Sequence, residues 1–192
     1  MDSHSKNGKL VIISAPSGAG KTTIIKELLA RFPRLEFSIS ATSRAPRGNE
    51  VNEKDYYFLT RDEFMQRVRE GEFVEWEEVY AGNCYGTLRL ELDRIWTKGN
   101  VIIFDVDVKG GMNLKNIFGK RALSIFIMPP SIEELRNRLI GRATDSIETI
   151  EKRVAKAEHE LAYAKQFDVV VINDNLDRAI AETERVIADF IS

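Results

Sequence analysis

The stretch ISAPSGAGKTT, residues 13–23, decides the fold of this chain. It ends in Gly20, Lys21 and Thr22, the last part of the pattern G-x-x-x-x-G-K-S/T, whose backbone N–H groups cradle phosphates. Ala15 stands where that pattern has its first glycine. Alanine is unsuitable there only if the position needs a positive φ or a very close backbone approach, so we expect the loop to hold phosphate.

The residues on either side of this loop predict a strand and a helix. KLVIISA (9–15) is a continuous apolar run rich in β-branched residues, which is typical of a buried strand. KTTIIKELLARF (21–32) places apolar residues at helical spacing, and Pro33 then ends the helix. The glycines therefore precede a helix N-terminus, where inward-pointing N–H groups and the helix dipole favour a phosphate. The alternative is a glycine-rich turn that binds no ligand.

Within such a loop the residue types have expected tasks. Lys21 would reach the β- and γ-phosphates of a nucleotide, and the hydroxyl of Thr22 would bind Mg²⁺. The loop alone leaves GTPases, ATPases and kinases open as functions. The loop residues expected to bind the donor nucleotide are Ala15, Pro16, Ser17, Gly18, Ala19, Gly20, Lys21, Thr22 and Thr23.

The rest of the chain continues the alternation of strands and helices. Buried strands are predicted in NVIIFDVDVKGG (100–111), ALSIFIM (122–128) and FDVVVIN (167–173). Helices are predicted at 131–142, where Ser131 and Glu134 form a capping box, and at 146–166 and 175–191. This pattern favours an α/β fold, with a parallel sheet covered by helices on both faces.

Residues 34–88 have a different character, polar and rich in turns. They contain predicted short strands at 37–40, 56–59 and 73–80 and an amphipathic helix at 61–71. We therefore expect a strand-rich lobe inserted after the first helix.

Composition excludes several classes of protein. The 192 residues are 43% hydrophobic, which suits one compact domain. A net charge of -2 offers no basic excess for nucleic acid or an anionic membrane. The polar N-terminus does not resemble a signal peptide, no apolar run is long enough for a membrane span, and the single cysteine, Cys84, fits a reducing compartment. We expect a cytoplasmic protein with small-molecule substrates and no obligatory protein partner.

Two groups of charged residues outside the loop suggest ligand contacts. Arg44 and Arg47, followed by Tyr56, would make a good clamp for a phosphate, although arginines on a polar loop are usually just solvated. Asp105 and Asp107 end an apolar run, and carboxylates at the carboxyl edge of a parallel sheet lie beside the nucleotide crevice. They could orient a Mg²⁺-bound water or a substrate hydroxyl, or simply cap the turn that follows.

Several segments, in order and spacing, resemble the guanylate kinase family: SAPSGAGKTT, SATSRAPRGNEVNEKDYYF, GEFVEWEEVYAGNCYGT, DVDVKG, PPSIEELRNRLIGR and NDNLDRA. Together they cover nearly the whole chain. The resemblance implies a single-domain, bacterial-type enzyme that transfers phosphate from ATP to GMP or dGMP with Mg²⁺. It also implies a P-loop core (1–36, 88–130 and 160–192), an inserted mixed α/β GMP-binding lobe (37–87) and a helical lid (131–159).

The same resemblance implies roles for individual residues. Lys21, Arg44, Arg142 and Arg153 would be catalytic, with Arg138 a helper. Asn173 would meet the adenine of ATP. From the loop pattern and the strand end, Thr22 would bind Mg²⁺, and Asp105 could act through water. GMP would be bound by Ser40, Arg44, Arg47, Tyr56, Glu75, Tyr85, Thr87 and Asp107, of which both arginines and both tyrosines would hold the phosphate.

The chemistry of guanine fits a carboxylate at Glu75. Guanine presents two adjacent donors on its Watson–Crick edge, both of which a carboxylate accepts, whereas adenine presents a repelling lone pair. Ser40 and Thr87 could donate to the guanine oxygen. Without the family resemblance, Glu75 would be interpreted as an outward-facing charge on an acidic strand.

The chain departs from the family pattern at Ala15 and at Glu53, where the family favours a small residue, commonly glycine. Two rival functions stay open. A catalytically inactive, peptide-binding scaffold domain would have a broken phosphate loop, but this chain keeps Lys21 and Thr22. A nucleoside-monophosphate kinase with another base preference is opposed by Glu75.

Overall fold

The computed structural model describes residues 8–80, 82–141 and 146–192. Its strands are β1 (Leu10–Ser14), β2 (Leu35–Phe37), β3 (Ala41–Thr42), β4 (Tyr57–Phe58), β5 (Phe73–Tyr80), β6 (Asn83–Leu88), β7 (Val101–Asp105), β8 (Ala122–Met128) and β9 (Val169–Ile172). Its helices are α1 (Lys21–Arg31), α2 (Arg61–Arg69), α3 (Arg89–Trp96), α4 (Val108–Phe118), α5 (Ile132–Gly141), α6 (Ile147–Leu161) and α7 (Leu176–Ile191).

A parallel sheet forms the centre of the structure. In the described chain its strand order is β2-β7-β1-β8-β9, and each pair of neighbours is parallel. Residues 10–13 of the central strand β1 are fully buried, as expected where helices cover both faces. Because the strands are parallel, their carboxyl ends meet at one edge of the sheet, where the glycine loop follows β1. The predicted α/β class is confirmed.

Helices cover both faces of this sheet. Val11 and Ile13 share a core cluster with residues of α1 and α7, whereas Leu10 and Ile12 share another with residues of α3 and α4. Successive side chains of a strand point to opposite faces, so a strand between two helical layers must be apolar at every position. This explains the unbroken apolar run LVIIS in β1.

The inserted segment forms a second sheet with its own small core. Its strand order is β4-β3-β6-β5, with β3 parallel to β4 and the other pairs antiparallel. Phe64 of α2 packs on Phe73 of β5, with ring centroids 4.4 Å apart, and the buried Cys84 belongs to the same cluster. Thr60 and Glu63 form a capping box that begins α2. This lobe therefore folds around its own apolar cluster.

Helices α5 and α6 form a further packed unit. Leu135 and Leu139 of α5 pack with Ile150 and Val154 of α6 in a separate cluster. The hydroxyl of Ser146 accepts from the backbone N–H of residue 149 and begins α6. Among the described helices, none combines the length and apolar character that a membrane span requires.

The structure differs from the sequence prediction in several segments. The helix predicted over 146–166 ends at Leu161. Residues 38–40 are not a strand: β2 ends at Phe37, and the chain there passes from the central sheet to the lobe, with the Ile39 N–H donating to Glu91 (N to Oε2 2.7 Å). The strand predicted over 100–111 ends at Asp105, and α4 begins at Val108. The prediction also missed α3. Consecutive glycines in KGG favour a turn, and this hid the start of α4.

Candidate active site

The glycine loop joins the end of β1 to the start of α1. Gly18 and Gly20 have φ values of 95° and 98°, in the region that favours glycine. A Cβ at Gly20 would lie 2.3 Å from Nδ2 of Asn173, and one at Gly18 would lie 2.9 Å from a methyl of Leu139. Glycine is therefore required at both positions by backbone conformation and by close neighbours.

Ala15 causes no backbone strain. Among the described residues, Glu53 is the one non-glycine residue with a positive φ, at 64°. Ala15 thus has an ordinary backbone conformation and is buried next to the loop. Glu53, in contrast, occupies the left-handed region, which agrees with the glycine that the resemblance implies for that position. Its N–H donates to the carbonyl of Tyr56 (2.8 Å) and closes the turn.

Lys21 is held at the carboxyl end of β7. Its ammonium group forms an ion pair with Asp105 and donates to the carbonyl of Val106 (3.1 Å). Thr22 and Thr23 follow it in the exposed first turn of α1. The loop and the end of the neighbouring strand thus bring a lysine, a carboxylate and two hydroxyls together.

A cavity of about 380 Å³ opens between the loop, the strand ends and the lobe. It gathers most of the residues that the sequence predicted for the two nucleotides. Ala19, Arg44, Arg47, Thr87, Asn173 and Arg153 are not among the lining residues. The predicted residues that line it are Ala15, Pro16, Ser17, Gly18, Gly20, Lys21, Thr22, Thr23, Ser40, Tyr56, Glu75, Tyr85, Asp105 and Asp107.

Glu75 and Thr87 are paired across β5 and β6, directly opposite each other in the antiparallel register. Opposite residues share a face of the sheet, and the Thr87 hydroxyl donates to Glu75 (Oγ1 to Oε1 2.8 Å). Burial, together with the nearby negative charges of Asp107 and Glu77, raises the pKa of Glu75 to about 7, against the effect of the Thr87 hydrogen bond. The lobe therefore presents a buried carboxylate that titrates near neutral pH.

Arg44 lies behind the cavity and supports its tyrosines. Its guanidinium pairs with both carboxylate oxygens of Glu50, and its Nε donates to the hydroxyl of Tyr85 (3.2 Å). It also lies over the ring of Tyr56, 4.8 Å from the centroid. Tyr56 and Tyr85 contact each other edge to face, at 6.2 Å. Arg47 is exposed at the entrance to this group.

Asp107 caps α4. Its side chain accepts from the N–H of Gly110 (2.9 Å), the capping role that was the alternative to a ligand contact. A Cβ at Gly110 would lie 3.0 Å from Oδ1 of Asp107 and 3.2 Å from Oε2 of Glu75, so glycine allows the helix to approach both carboxylates. The predicted contact of Asp107 with GMP stays a prediction.

Asn173 is buried against the loop. Its side-chain Nδ2 donates to the carbonyl of Ala19 (2.7 Å), and its backbone carbonyl accepts from Nη2 of Arg138 (3.0 Å). The side chain thus fixes the loop backbone, and its predicted contact with adenine stays a prediction. Arg142 lies outside the described residues. Arg153 is half-exposed on α6.

Sequence reasoning missed two charged residues of α6 that line the cavity, Lys156 and Glu160. Burial raises the pKa of Glu160 against the attraction of Lys156 and Lys21. The sequence offers no clear signal for them, since charged residues occur all along this helix.

A glycine loop between β1 and α1, with a lysine and a threonine opening the helix, defines a P-loop nucleotide-binding protein. The sequence model of the family described as guanylate kinase matches residues 7–190. The chain is 55% identical to the guanylate kinase of Bacteroides fragilis, over 95% of this chain and 90% of that protein. It is also 55% identical to the guanylate kinase of Porphyromonas gingivalis, over 96% of this chain and 98% of that protein. The chain therefore belongs to the guanylate kinase family.

A solved structure agrees with this assignment. The crystal structure of guanylate kinase from Anaplasma phagocytophilum matches with a TM-score of 0.76 and 30% sequence identity, covering 95% of this chain and 85% of that one.

Proposed function

We propose that this protein transfers the γ-phosphoryl group of ATP to GMP or dGMP, giving ADP and GDP or dGDP. The observation that carries the proposal is a cavity that the glycine loop lines on one side and Tyr56, Glu75 and Tyr85 of the lobe line on the other. A phosphoryl transfer needs donor and acceptor in line within one site. In this cavity the phosphate-binding loop lies next to polar side chains of the lobe that could hold a base.

On the donor side, the loop N–H groups and Lys21 would hold the phosphates of ATP. Lys21 is already at the mouth of the cavity, paired with Asp105. An incoming phosphate would compete with that carboxylate for the ammonium group. Asn173 supports this side by fixing the carbonyl of Ala19.

On the acceptor side, the arginine–tyrosine group would hold the phosphate of GMP. Arg44 donates a hydrogen bond to the Tyr85 hydroxyl and lies over the Tyr56 ring, and both tyrosines line the cavity. Arg47 is exposed nearby and supplies a second positive charge. Because the phosphate of a nucleoside monophosphate is already anionic, this site needs to position and neutralise it rather than deprotonate it.

Glu75 would read the base. In its ionised form the carboxylate accepts from N1–H and the exocyclic amine of guanine, while Thr87 orients it and Ser40 lines the same cavity. Asp107 lines the same cavity and is predicted to contact GMP. Adenine would place a lone pair against the carboxylate.

The α5–α6 unit would close over the reacting groups. Arg153, with Arg142, would add positive charge to the transferred phosphoryl group, and Arg138 links this unit to Asn173 beside the loop. Closure excludes water, which would otherwise divert the reaction to ATP hydrolysis.

The cavity also suits Mg²⁺. This ion takes only one or two ligands from a protein and the rest from phosphates and water. Thr22 and Asp105 line the cavity and offer a hydroxyl and a carboxylate, although the described residues contain no dedicated cluster of three or more metal-ligating side chains. Bound there with ATP, the ion would neutralise charge on the phosphates.

The division of the chain follows from these roles. We assign the core to 1–36, 88–130 and 160–192, the GMP-binding lobe to 37–87 and the lid to 131–159. The partners of the proposed reaction are the small molecules ATP and GMP or dGMP, and the expected cytoplasmic location stays a prediction.

An assay of ADP formation from ATP, with GMP, AMP, CMP or UMP as acceptor, tests the proposal. We expect turnover with GMP at least about 100-fold above that with AMP, since a site built to hydrogen-bond one base leaves polar groups unpaired with another. A preference for AMP would contradict the assignment of the base site. Turnover with none of the four would favour a binding domain without catalysis.

A further inference from the structure

We infer that Glu50 is a positioning residue for the acceptor phosphate: its carboxylate holds Arg44, and through it Tyr56 and Tyr85, in the arrangement that the phosphate meets. The inference rests on the proposed function, because it takes the arginine–tyrosine group as the phosphate site. Glu50 itself does not line the cavity.

The contact between Glu50 and Arg44 is a two-point fork. Nη1 of Arg44 lies 2.6 Å from Oε2 and Nη2 lies 2.8 Å from Oε1. Two parallel hydrogen bonds fix the plane of the guanidinium as well as its position. The Arg44 side chain is only 8% exposed, whereas that of Glu50 is 25% exposed, so the pair lies at the inner wall of the lobe.

The count of donors shows how completely this orientation is fixed. A guanidinium has five N–H groups. In Arg44, Nε donates to the Tyr85 hydroxyl, Nη1 donates to the carbonyl of Ala45 and to Glu50, and Nη2 donates to the other carboxylate oxygen of Glu50. In the described part of the chain, the second N–H of Nη2 has no acceptor on a carboxylate or carbonyl, and the guanidinium also interacts with the side chain of Tyr56. The guanidinium therefore cannot rotate without breaking several hydrogen bonds, and the bond from Nε aims the hydroxyl of Tyr85.

Glu50 is itself held in place. Its Oε2 also accepts from the backbone N–H of Arg47 (2.8 Å), and its own N–H donates to the carbonyl of Arg47 (3.1 Å). The fork with Arg44 lowers the pKa of Glu50 to about 2, so the carboxylate stays ionised at neutral pH. One carboxylate thus orders both predicted phosphate-binding arginines, one by its side chain and the other by its backbone.

These contacts favour positioning over competition. A carboxylate that merely occupied the place of the phosphate would need to leave when GMP binds. Glu50 would then abandon the Arg47 N–H as well as the fork, although the turn at residues 47–50 would keep the bond from the Glu50 N–H to the Arg47 carbonyl. A phosphate that meets the side chains of Tyr56 and Tyr85, which line the cavity, requires no such loss.

Glu50→Gln tests the inference, with GMP binding measured by calorimetry and KM and kcat by the ADP assay. The amide keeps the size of the side chain but cannot accept both hydrogen bonds of the fork. We expect the Kd and KM for GMP to rise roughly tenfold, with the KM for ATP within about twofold of the wild-type value. Glu50→Asp, which keeps the charge but shortens the reach, should also weaken GMP and serves if the glutamine variant folds poorly.

Asp55→Asn is the matched control. Asp55 lies in the same loop and accepts from the N–H of Val51 (2.7 Å), so removing its charge weakens this loop contact without touching Arg44. Its GMP affinity should match the wild type. An equal loss in Asp55→Asn would show that loop order, rather than the orientation of Arg44, controls binding, and would overturn the inference.

A double-mutant cycle separates positioning from a purely structural role. In an Arg44→Lys background the fork no longer exists, and Glu50→Gln should then change the GMP Kd by less than about twofold. Full additivity, an unchanged GMP Kd in the single variant, or tighter GMP binding would each overturn the inference. Turnover of the wild type with GMP, measured in the same preparations, tests the proposed function separately, because calorimetry measures GMP binding without any turnover.

Discussion

The hydroxyl of Thr87 donates to the carboxylate of Glu75 across neighbouring strands of the lobe, with Oγ1 and Oε1 2.8 Å apart. Glu75 is nine-tenths buried, and in the described part of the chain its carboxylate is hydrogen-bonded only by Thr87, through the hydroxyl and the backbone. Burial of a carboxylate disfavours its charged form, which is why its pKa rises to about 7. A buried, ionised carboxylate with few donors lowers the stability of the fold, and a bound ligand that donates hydrogen bonds to it would offset this cost.

The first prediction concerns the pH dependence of unfolding. The pKa of Glu75 is raised on folding, so its contribution to stability is fully present below its unfolded pKa of about 4.5 and is lost as pH rises through about 7. Replacing Glu75 by glutamine removes this loss. We expect the variant to exceed the wild type in free energy of unfolding by about 1–3 kcal/mol at pH 8, and by much less at pH 5.

Denaturant unfolding of both proteins at the two pH values, without nucleotide, measures this difference. Titrating groups that do not interact with Glu75 affect both proteins equally and cancel in the comparison. A difference that is the same at pH 5 and pH 8 would show that Glu75 titrates like an ordinary surface carboxylate.

The second prediction concerns Lys21. Lys21→Ala should leave a folded protein with little kinase activity at saturating ATP, because this ammonium group is the cation that the loop offers to the β- and γ-phosphates. Its ion pair with Asp105 is partly exposed, so stability should change by only about 1 kcal/mol. Lys26→Ala, on the exposed face of the same helix, is the control and should keep its activity. Near-normal turnover in Lys21→Ala would reject the assignment of the loop.

The third prediction concerns the lid. Arg153→Ala should lower kcat strongly, on the order of 10³-fold, while the Kd values of both nucleotides change little, because charge supplied at closure acts on the transition state. Lys152→Ala is the control, since Lys152 is an exposed neighbour on α6 that pairs with Glu148. Rapid-quench measurement of the chemical step, with calorimetry for binding, separates the two effects. A loss confined to GMP affinity would contradict the proposed role.

The sequence allowed much of the fold to be predicted because its signals are local. An unbroken apolar run such as β1 and a helix that opens with a capping residue, such as α5 after Ser131, are recognisable within a short window of sequence. The helix α4 did not, because Gly110 and Gly111 look like a turn. They are glycines because α4 packs closely on its neighbours: a Cβ at Gly111 would lie 2.6 Å from Oγ of Ser14.

The site was less accessible to sequence reasoning where tertiary contacts decide a role. Glu75 alone looks like one of several acidic residues on a strand, and only its register with Thr87 shows that it is buried and paired. Asn173 was assigned to adenine, but its contact with Ala19 spans most of the chain. Glu160 gave no signal because an inward-facing position on a highly charged helix depends on what packs against it.

The central claim is that the carboxylate of Glu75 makes this site specific for guanine, and the ratio of kcat/KM for GMP to that for AMP tests it most directly. In Glu75→Gln the amide can donate to N1 of adenine, whereas facing guanine it meets another donor and leaves polar groups unpaired. Measured at pH 8, where Glu75 is ionised, the ratio should fall by roughly tenfold or more. Glu78→Gln, an exposed neighbour on the same strand that pairs with Arg61, should leave the ratio unchanged. An unchanged ratio in Glu75→Gln would mean that this carboxylate does not read the base.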